Sequence, residues 1–551
     1  MPDIRVPVLI VGSGLAGLTT AVMLAWRGVR PLLVERHADT SKNPRARGVN
    51  FRSMELLRVA GLESDLMAEG GQMSDFSIII AETVTGRELK TILPRGSWET
   101  SDLTPAQMSG AGQDRIEPIL RRHAEALGAD IRYSTELTDF EQNEDGVTAT
   151  LRDLRTGLET RVQADYLVGA DGNRSRIRER LGIPVHGAGT LSHNISMVFE
   201  ANLEAALRGR SLALYYLQNP RFTGAFINTT EPNRALVSVE YDPNKEQPSD
   251  FDTPRCIELV RAAVGIAGLD VKLLEVMPWE MASHSAKRFT QGRAFLVGDA
   301  AHTMPPTGGL GGQTAMQDGY DLAWKLAMVL HRQAGAELLT TYDSERRPVA
   351  TMTVDLQTSN YVERLRPDRT DLRKAGIVTD YIGVAFGYRY RSAAILADTP
   401  DDGEGVEDPG KPTGRPGTRS AHVTFKHKGK LVSSLDLIGR DFVLLTGPEG
   451  APWARAGMAL SYQHGLPLSV YRVGADLLDV DDKWEWRYGV TAAGAVILRP
   501  DGYVAWRART AASSASTTLR EALAKIMFRS AAALAVPTTG SPQLNDRKAY
   551  G

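Results

Sequence analysis

Cysteine is almost absent: Cys256 is the only one in 551 residues. No intramolecular disulfide can form, and a reducing, cytoplasmic setting is the expectation. Charge of one sign is missing too, with 64 lysines and arginines against 66 acids and a formal net charge of -2. That balance gives no global reason for a nucleic-acid or anionic-membrane partner. No apolar run reaches the ~18 residues of a membrane span, and the first residues pass straight into a strand pattern rather than a signal core. The ten histidines include no HExxH or similar spacing, so no metal site is expected. Solenoid-type repeats are likewise missing. What the chain does have is 42% hydrophobic residues, ample for a large core, and a length that suits roughly three or four domains.

Glycine sits where it carries information. Gly12-Ser13-Gly14-Leu15-Ala16-Gly17 follows the apolar run Val6 to Val11 and leads into Leu15 to Trp26, a helix-like stretch. That is the strand, turn, helix context of a dinucleotide fingerprint. Gly12 suits the tight turn, Gly14 lets backbone approach a pyrophosphate, and Gly17 permits close helix–strand packing, while Leu15 and Ala16 begin a helix whose free N–H groups face the phosphates. After Gly28, the run Pro31 to Val34 ends in Glu35 and Arg36. A carboxylate at that strand end accepts hydrogen bonds from ribose hydroxyls, favouring an adenosine without a 2′-phosphate, as in FAD or NAD.

Two later strand ends repeat the placement. Ala164 to Val168 runs into Asp171-Gly172 and a basic helix, and Ala294 to Val297 runs into Gly298-Asp299. Ligands of open α/β sheets bind at such carboxyl ends. Beyond Pro305, Gly308 to Gly312 opens a long helix, Thr314 to Gln333, whose N-terminus suits negative charge on a reduced flavin. Either pair alone reads better as an ordinary turn.

Together the three motifs resemble those of the single-component FAD-dependent aromatic hydroxylases related to para-hydroxybenzoate hydroxylase. The likeness spans essentially the whole chain. Arg52-Ser53-Met54-Glu55, Gln113-Asp114-Arg115 and Glu345-Arg346-Arg347-Pro348 are similar as well, and Tyr215-Tyr216-Leu217, Tyr388-Arg389-Tyr390-Arg391 and Gly414-Arg415-Pro416-Gly417 narrow the resemblance to the aromatic polyketide branch.

The resemblance implies that Gly12, Gly14 and Gly17 hold the FAD pyrophosphate and Glu35 the adenine-side ribose. It also implies that Arg45 and Gln113 reach the phosphate or ribityl region, that Asp299 holds a ribityl hydroxyl, and that Pro305, Gly308, Gly311 and Gly312 border the ring. Asp171 and Gly172 belong to a motif tied to both FAD and NADPH. Gln313 stands where many relatives carry Asn, which puts the ring-edge hydrogen bonds in question, and Arg47 replaces a usually small residue.

The implied reaction uses NADPH and dioxygen to hydroxylate a polycyclic aromatic polyketide through a flavin hydroperoxide, with FAD carrying the hard step and the protein excluding water. Adjacent strand residues face opposite sides, so only one of Tyr215 and Tyr216 can meet a ligand, and the family position favours Tyr216. Arg389 is the candidate to stabilise a phenolate. Phe226 and Trp279 are offered as walls for a flat substrate, with core packing as the plainer reading.

The fold class expected is mixed: a Rossmann-type FAD domain (1–81, 105–180, 283–393) interleaved with an antiparallel-sheet substrate domain (82–104, 181–282). A linker (398–417), a thioredoxin-like domain (418–535) and a disordered tail (536–551) follow. With no CxxC, that C-terminal domain is expected to be structural, and Trp484-Glu485-Trp486 reads as packing. The oligomeric state is left open. Alternatives are a hydroxylase of simple phenols or an antibiotic-inactivating enzyme, an oxidase needing no NADPH, and a non-catalytic scaffold.

Overall fold

The computed structural model describes residues 4–42, 47–73, 76–94, 100–229, 231, 233–374, 376 and 380–534. Arg45 and the tail 536–551 lie outside the described residues.

The strand Ile4–Val11 lies in parallel between Leu32–Val34 and Glu159–Gly169, with Asp130–Arg132 beyond the first and Ala294–Leu296 beyond the second. Val11 is level with Val34 and Gly169, and Gly169 with Leu296. Because these strands are parallel and in register, the turns that follow them open on one edge of the sheet. The strands read as nearly unbroken Val, Leu and Ile because helices cover the sheet. The helix Leu15–Trp26 is buried along almost its whole length and packs against Gly311–Leu330. Their closeness depends on Gly319, where an added Cβ would stand 2.7 Å from the Ala16 carbonyl oxygen.

A second eight-stranded sheet runs in the order His302–Thr303, Lys272–Ala286, Val185–Glu200, Arg234–Tyr241, Phe222–Asn228, Leu212–Asn219, Phe76–Ala81, Glu88–Leu93. It is antiparallel except where Leu212–Leu217 runs parallel to Phe76–Ala81. Phe76–Ala81 therefore belongs with this sheet, not with the first domain that residues 1–81 were expected to join. Alternation fits a sheet with two different faces. One face carries Tyr215, Phe226, Val237 and Val239 against the helix Thr253–Val264, which buries Cys256. The other carries Ile80, Tyr216, Met281 and Trp279 against Tyr361, Val362 and Leu365.

Beyond residue 418, a four-stranded sheet is ordered Leu468–Arg472, Phe442–Thr446, Ala495–Leu498, Val504–Ala508. The first pair is parallel and the others antiparallel, with helices Ala451–His464 and Ala515–Ile526 alongside. Its core is shared with the first domain: Trp324 and Met328 of the Gly311–Leu330 helix pack with Phe442, Leu444 and Ile497. Trp484 is buried but Trp486 is half exposed, so packing accounts only for the first. The 398–417 segment forms neither helix nor strand beyond an isolated bridge, and ion pairs from Asp398, Asp401 and Asp402 to arginines fasten it. Among the described residues no helix is long and apolar enough to cross a membrane.

Candidate active site

The three turns open on one sheet edge, and the first rests on the second through a backbone contact that only glycine allows. Gly12 has φ +107°, and a Cβ there would lie 2.2 Å from the Ala170 carbonyl oxygen, so the first turn rests directly on the chain leading to Asp171. At Gly17 a Cβ would stand 1.9 Å from the Gly12 oxygen. Gly14, by contrast, faces open space, with nothing within 4 Å of an added Cβ. Closed packing at the first and third glycines with an open second one is the shape a pyrophosphate requires at a helix N-terminus. These residues fit FAD. Leu15 and Ala16 are the first two residues of that helix.

Glu35 follows the strand Leu32–Val34 and faces the first glycine turn. Its Oε2 accepts the Ser13 N–H at 2.8 Å and its Oε1 the His37 N–H at 2.9 Å, with His37 Nδ1 at 2.6 Å. Burial would raise its pKa, but these donors hold the carboxyl below the ordinary range. Arg36 is exposed. Gln113 begins the helix Gln113–Ala126 and donates to Glu117 at 2.6 Å. Arg47 lies close to Asp114, and burial pulls its pKa down to about 10.

The other two turns are tied together by a residue the motif reading passed over. Arg178 is buried and donates to the carbonyls of Ala300 (2.9 Å) and Asn173 (3.1 Å), joining the Gly298–Ala300 turn to the segment after Asp171-Gly172. Its signal was present in the expected basic helix, but solvation is the usual fate of such charges. Asp171 accepts from Ser175 Oγ (2.5 Å) and the Ile177 N–H (3.1 Å), and burial pushes its pKa up. Gly172 has φ +84° and open space before it. Asp299 is exposed in its turn.

Pro305 is buried in the loop before the Gly311–Leu330 helix. A Cβ on Gly308 would press the Gln357 amide at 2.7 Å, while Gly311 would meet only Met304, at 3.6 Å. Gly312 is half-buried beside it in the first turn of the helix. Gln313 turns to the protein: its Oε1 accepts the Asn50 N–H (3.0 Å) and its Nε2 donates to the Gly48 carbonyl (2.8 Å). The extra methylene relative to Asn lets it span to that neighbouring segment.

On the second sheet, Tyr216 and Trp279 share one face, and Trp279 Nε1 donates to Ser196 Oγ at 2.9 Å. Phe226 does not join them. It pairs with Tyr215 on the opposite face and is fully buried in the core there, so it forms no wall beside Tyr216. Arg389 also departs from expectation, because its guanidinium binds Asp402 (2.5 Å) and the Glu404 carbonyl (2.9 Å). The cation at Tyr216 is Arg364 instead. Its Nη1 lies 3.5 Å from the Tyr216 hydroxyl, its guanidinium 5.5 Å from the ring centroid, and it also donates to the Thr307 carbonyl of the Pro305–Gly312 loop. Burial raises the Tyr216 pKa, with Arg364 opposing. Arg364 lacked any motif signal, since it ends a helix some 150 positions from Tyr216 and only the fold joins them.

Residues 5–357 match the family described as FAD binding domain, and residues 413–529 match aromatic-ring hydroxylase, C-terminal. The chain is 43% identical to aklavinone 12-hydroxylase of Streptomyces purpurascens, covering 96% of this chain and all of that protein. It is 40% identical to 4-methyl-5-nitrocatechol 5-monooxygenase of a Burkholderia species, covering 96% and 100%. A solved ternary complex of aklavinone-11 hydroxylase with FAD and aklavinone superposes with TM-score 0.91 at 43% identity, over 96% of this chain and 100% of that one.

Proposed function

The chain belongs to the FAD-binding aromatic-ring hydroxylases, and on that premise we propose that it uses NADPH and dioxygen to hydroxylate a polycyclic aromatic polyketide. The observation that carries the reading is Arg364, set between the Thr307 carbonyl of the glycine loop and the Tyr216 hydroxyl of the sheet face. Among the described residues Arg364 forms no ion pair with a carboxylate, so its charge is available to an anionic substrate oxygen.

FAD, when bound, supplies the redox chemistry: it takes reducing equivalents from NADPH and activates dioxygen. The chain's own work is to prepare the phenol. Arg364 lowers the pKa of a phenolic hydroxyl brought beside it, since an opposite charge within about 4–6 Å favours the ionised form. Tyr216 orients that oxygen by hydrogen bonding, while Ile80, Met281 and Val362 keep water away. Gly12, Gly14 and Gly17 would hold the pyrophosphate, Glu35 the ribose and Asp299 the ribityl chain. Trp279 would flank the substrate.

The domains carry forward with one change. The FAD-binding part takes residues up to 73, 105–180 and 283–393, and the substrate part takes 76–104 and 181–282. The C-terminal unit is read as thioredoxin-like from its strand order and flanking helices, without dithiol chemistry because Cys256 lies elsewhere. The same lone cysteine supports the cytoplasm.

The test is NADPH oxidation by the FAD-loaded protein with anthracyclinone, angucyclinone and simple phenol substrates, with product masses. Stimulation by a polycyclic substrate and a product heavier by one oxygen is expected. A second reading, hydroxylation of simple phenols, is favoured by the Burkholderia relative, and stimulation by the phenols alone would select it.

A further inference from the structure

The Glu345-Arg346-Arg347-Pro348 run has no part in the chemistry above, yet its first two residues are among the most deeply buried charges in the protein. They are adjacent on the helix Thr341–Arg364, so their side chains leave it in directions about 100° apart. Glu345 meets the C-terminal domain. Its carboxylate accepts from Arg499 at 2.6 and 2.7 Å, from Lys325 at 2.7 Å and from Ser392 at 2.6 Å. Asp321 and Asp501 adjoin the same cluster, and with Glu345 they form a carboxylate triad whose space the Lys325 ammonium and the Arg499 guanidinium already fill.

Arg346 leads the other way. Its Nε donates to Asp318 Oδ1 at 2.8 Å, and Asp318 Oδ2 accepts the Gly298 N–H at 3.2 Å and lies 2.6 Å from His302 Nε2. All of these side chains are fully enclosed. Gly298 has no slack: its φ is +59°, and a Cβ would lie 2.8 Å from Ala16 and 3.1 Å from Ala315. The turn that bears Asp299 is thus wedged between two helices and pinned from behind by one carboxylate.

We infer that Glu345 and Arg346 form an ionic bridge through which the C-terminal domain, by Arg499, holds the Gly298–Asp299 turn in its FAD-binding position. Arg499, Glu345, Arg346 and Asp318 are positioning residues, and the C-terminal domain is a brace for the cofactor site. Buried ion pairs of this kind bring specificity of arrangement more than net stability, and removing one partner strands the others. The inference rests on FAD being held at this turn. A wild-type protein that fails to bind FAD would defeat that reading, whereas the exchange measurement below is made without FAD.

The experiment compares Arg499→Met, Arg499→Lys and Arg27→Met by amide hydrogen exchange on the apoprotein and by FAD titration. Arg27 also joins the two regions, through the carbonyls of Gly439 and Arg440, but touches none of the bridge. Arg499→Met should speed exchange at residues 298–303 about tenfold and weaken FAD binding about tenfold, with Arg499→Lys between it and wild type. Arg27→Met should lower the melting temperature without either change. Unaltered exchange and FAD affinity in a folded Arg499→Met protein would overturn the bridge, as would equal changes in Arg27→Met. Should Arg499→Met not fold, the coupling is read in reverse in the unaltered protein, since linkage is reciprocal. Once the titration shows that FAD binds, FAD should slow exchange at 495–503, and no slowing in the FAD-bound protein would overturn the inference.

Discussion

The two faces of the second sheet differ in what they bury. Behind it, Tyr215, Phe226, Val237, Val239 and Cys256 form a closed apolar core. In front, Tyr216 meets Arg364 and Glu240 meets Arg366, while Trp279, Ser196 and Ser238 bond to one another. Tyr215 and Tyr216 are neighbours in sequence, yet one is a core ring on the back face and the other lies beside Arg364 on the front. The difference is set by strand alternation, which assigns each position to a face before any chemistry is considered. The back face is closed by apolar side chains, and the front face buries polar groups among apolar ones.

The largest expected effect tests the back face. Phe226→Ala should cost about 3–5 kcal/mol of folding stability, the usual loss for a fully buried aromatic ring, measured by denaturant unfolding. In whatever fraction stays folded, the substrate KM should hardly move. A large KM change at unchanged stability would place Phe226 at the substrate after all.

The front face is tested next. Arg364→Met should lower kcat about 100-fold, on the order of 3 kcal/mol in the barrier. The acid limb of the pH–rate profile should also move up by about one to three pH units, because the substrate phenol must then ionise unaided. Arg364→Lys should recover part of the loss. Tyr216→Phe is the milder change, about tenfold, since it removes one neutral hydrogen bond. Arg389→Ala, whose guanidinium is committed to Asp402, should leave kcat within about twofold. A kcat loss in Arg389→Ala matching that of Arg364→Met would reverse the assignment.

What could be read in the sequence divides along the same line. The helix Leu15–Trp26, the strands flanking the first glycine turn and the three motif turns are legible because they are local: each depends on a short apolar run meeting a glycine. That Tyr215 and Tyr216 face opposite sides of the sheet needed only alternation. Arg364 was not legible, because it acts through a contact made by the fold, to Tyr216; Arg178 stood in the expected basic helix, but its contact to Ala300 was not legible. Arg389 misled because a Tyr-Arg run signals a family without saying where the charge goes. Gln313 shows the converse. Its departure from Asn was visible, but its partners, Gly48 and Asn50, were not.

The smallest effect sharpens the cost of the front face. Burial holds the Glu240 carboxyl above its ordinary value near 4.5, although Arg366, with Nη1 at 3.3 Å, pulls the other way. An acid whose pKa is raised on folding contributes stability that is fully present below its unfolded value and is lost as pH rises through the folded one. Glu240→Gln removes that titration. Relative to the parent, the variant should therefore gain stability as pH rises from about 4.5 through the raised Glu240 value, and then level off. Denaturant unfolding of both proteins from pH 4.5 to 9 measures the difference. A constant difference across that range would mean that Glu240 ionises at no cost, and the front face would then be no less settled than the core behind it.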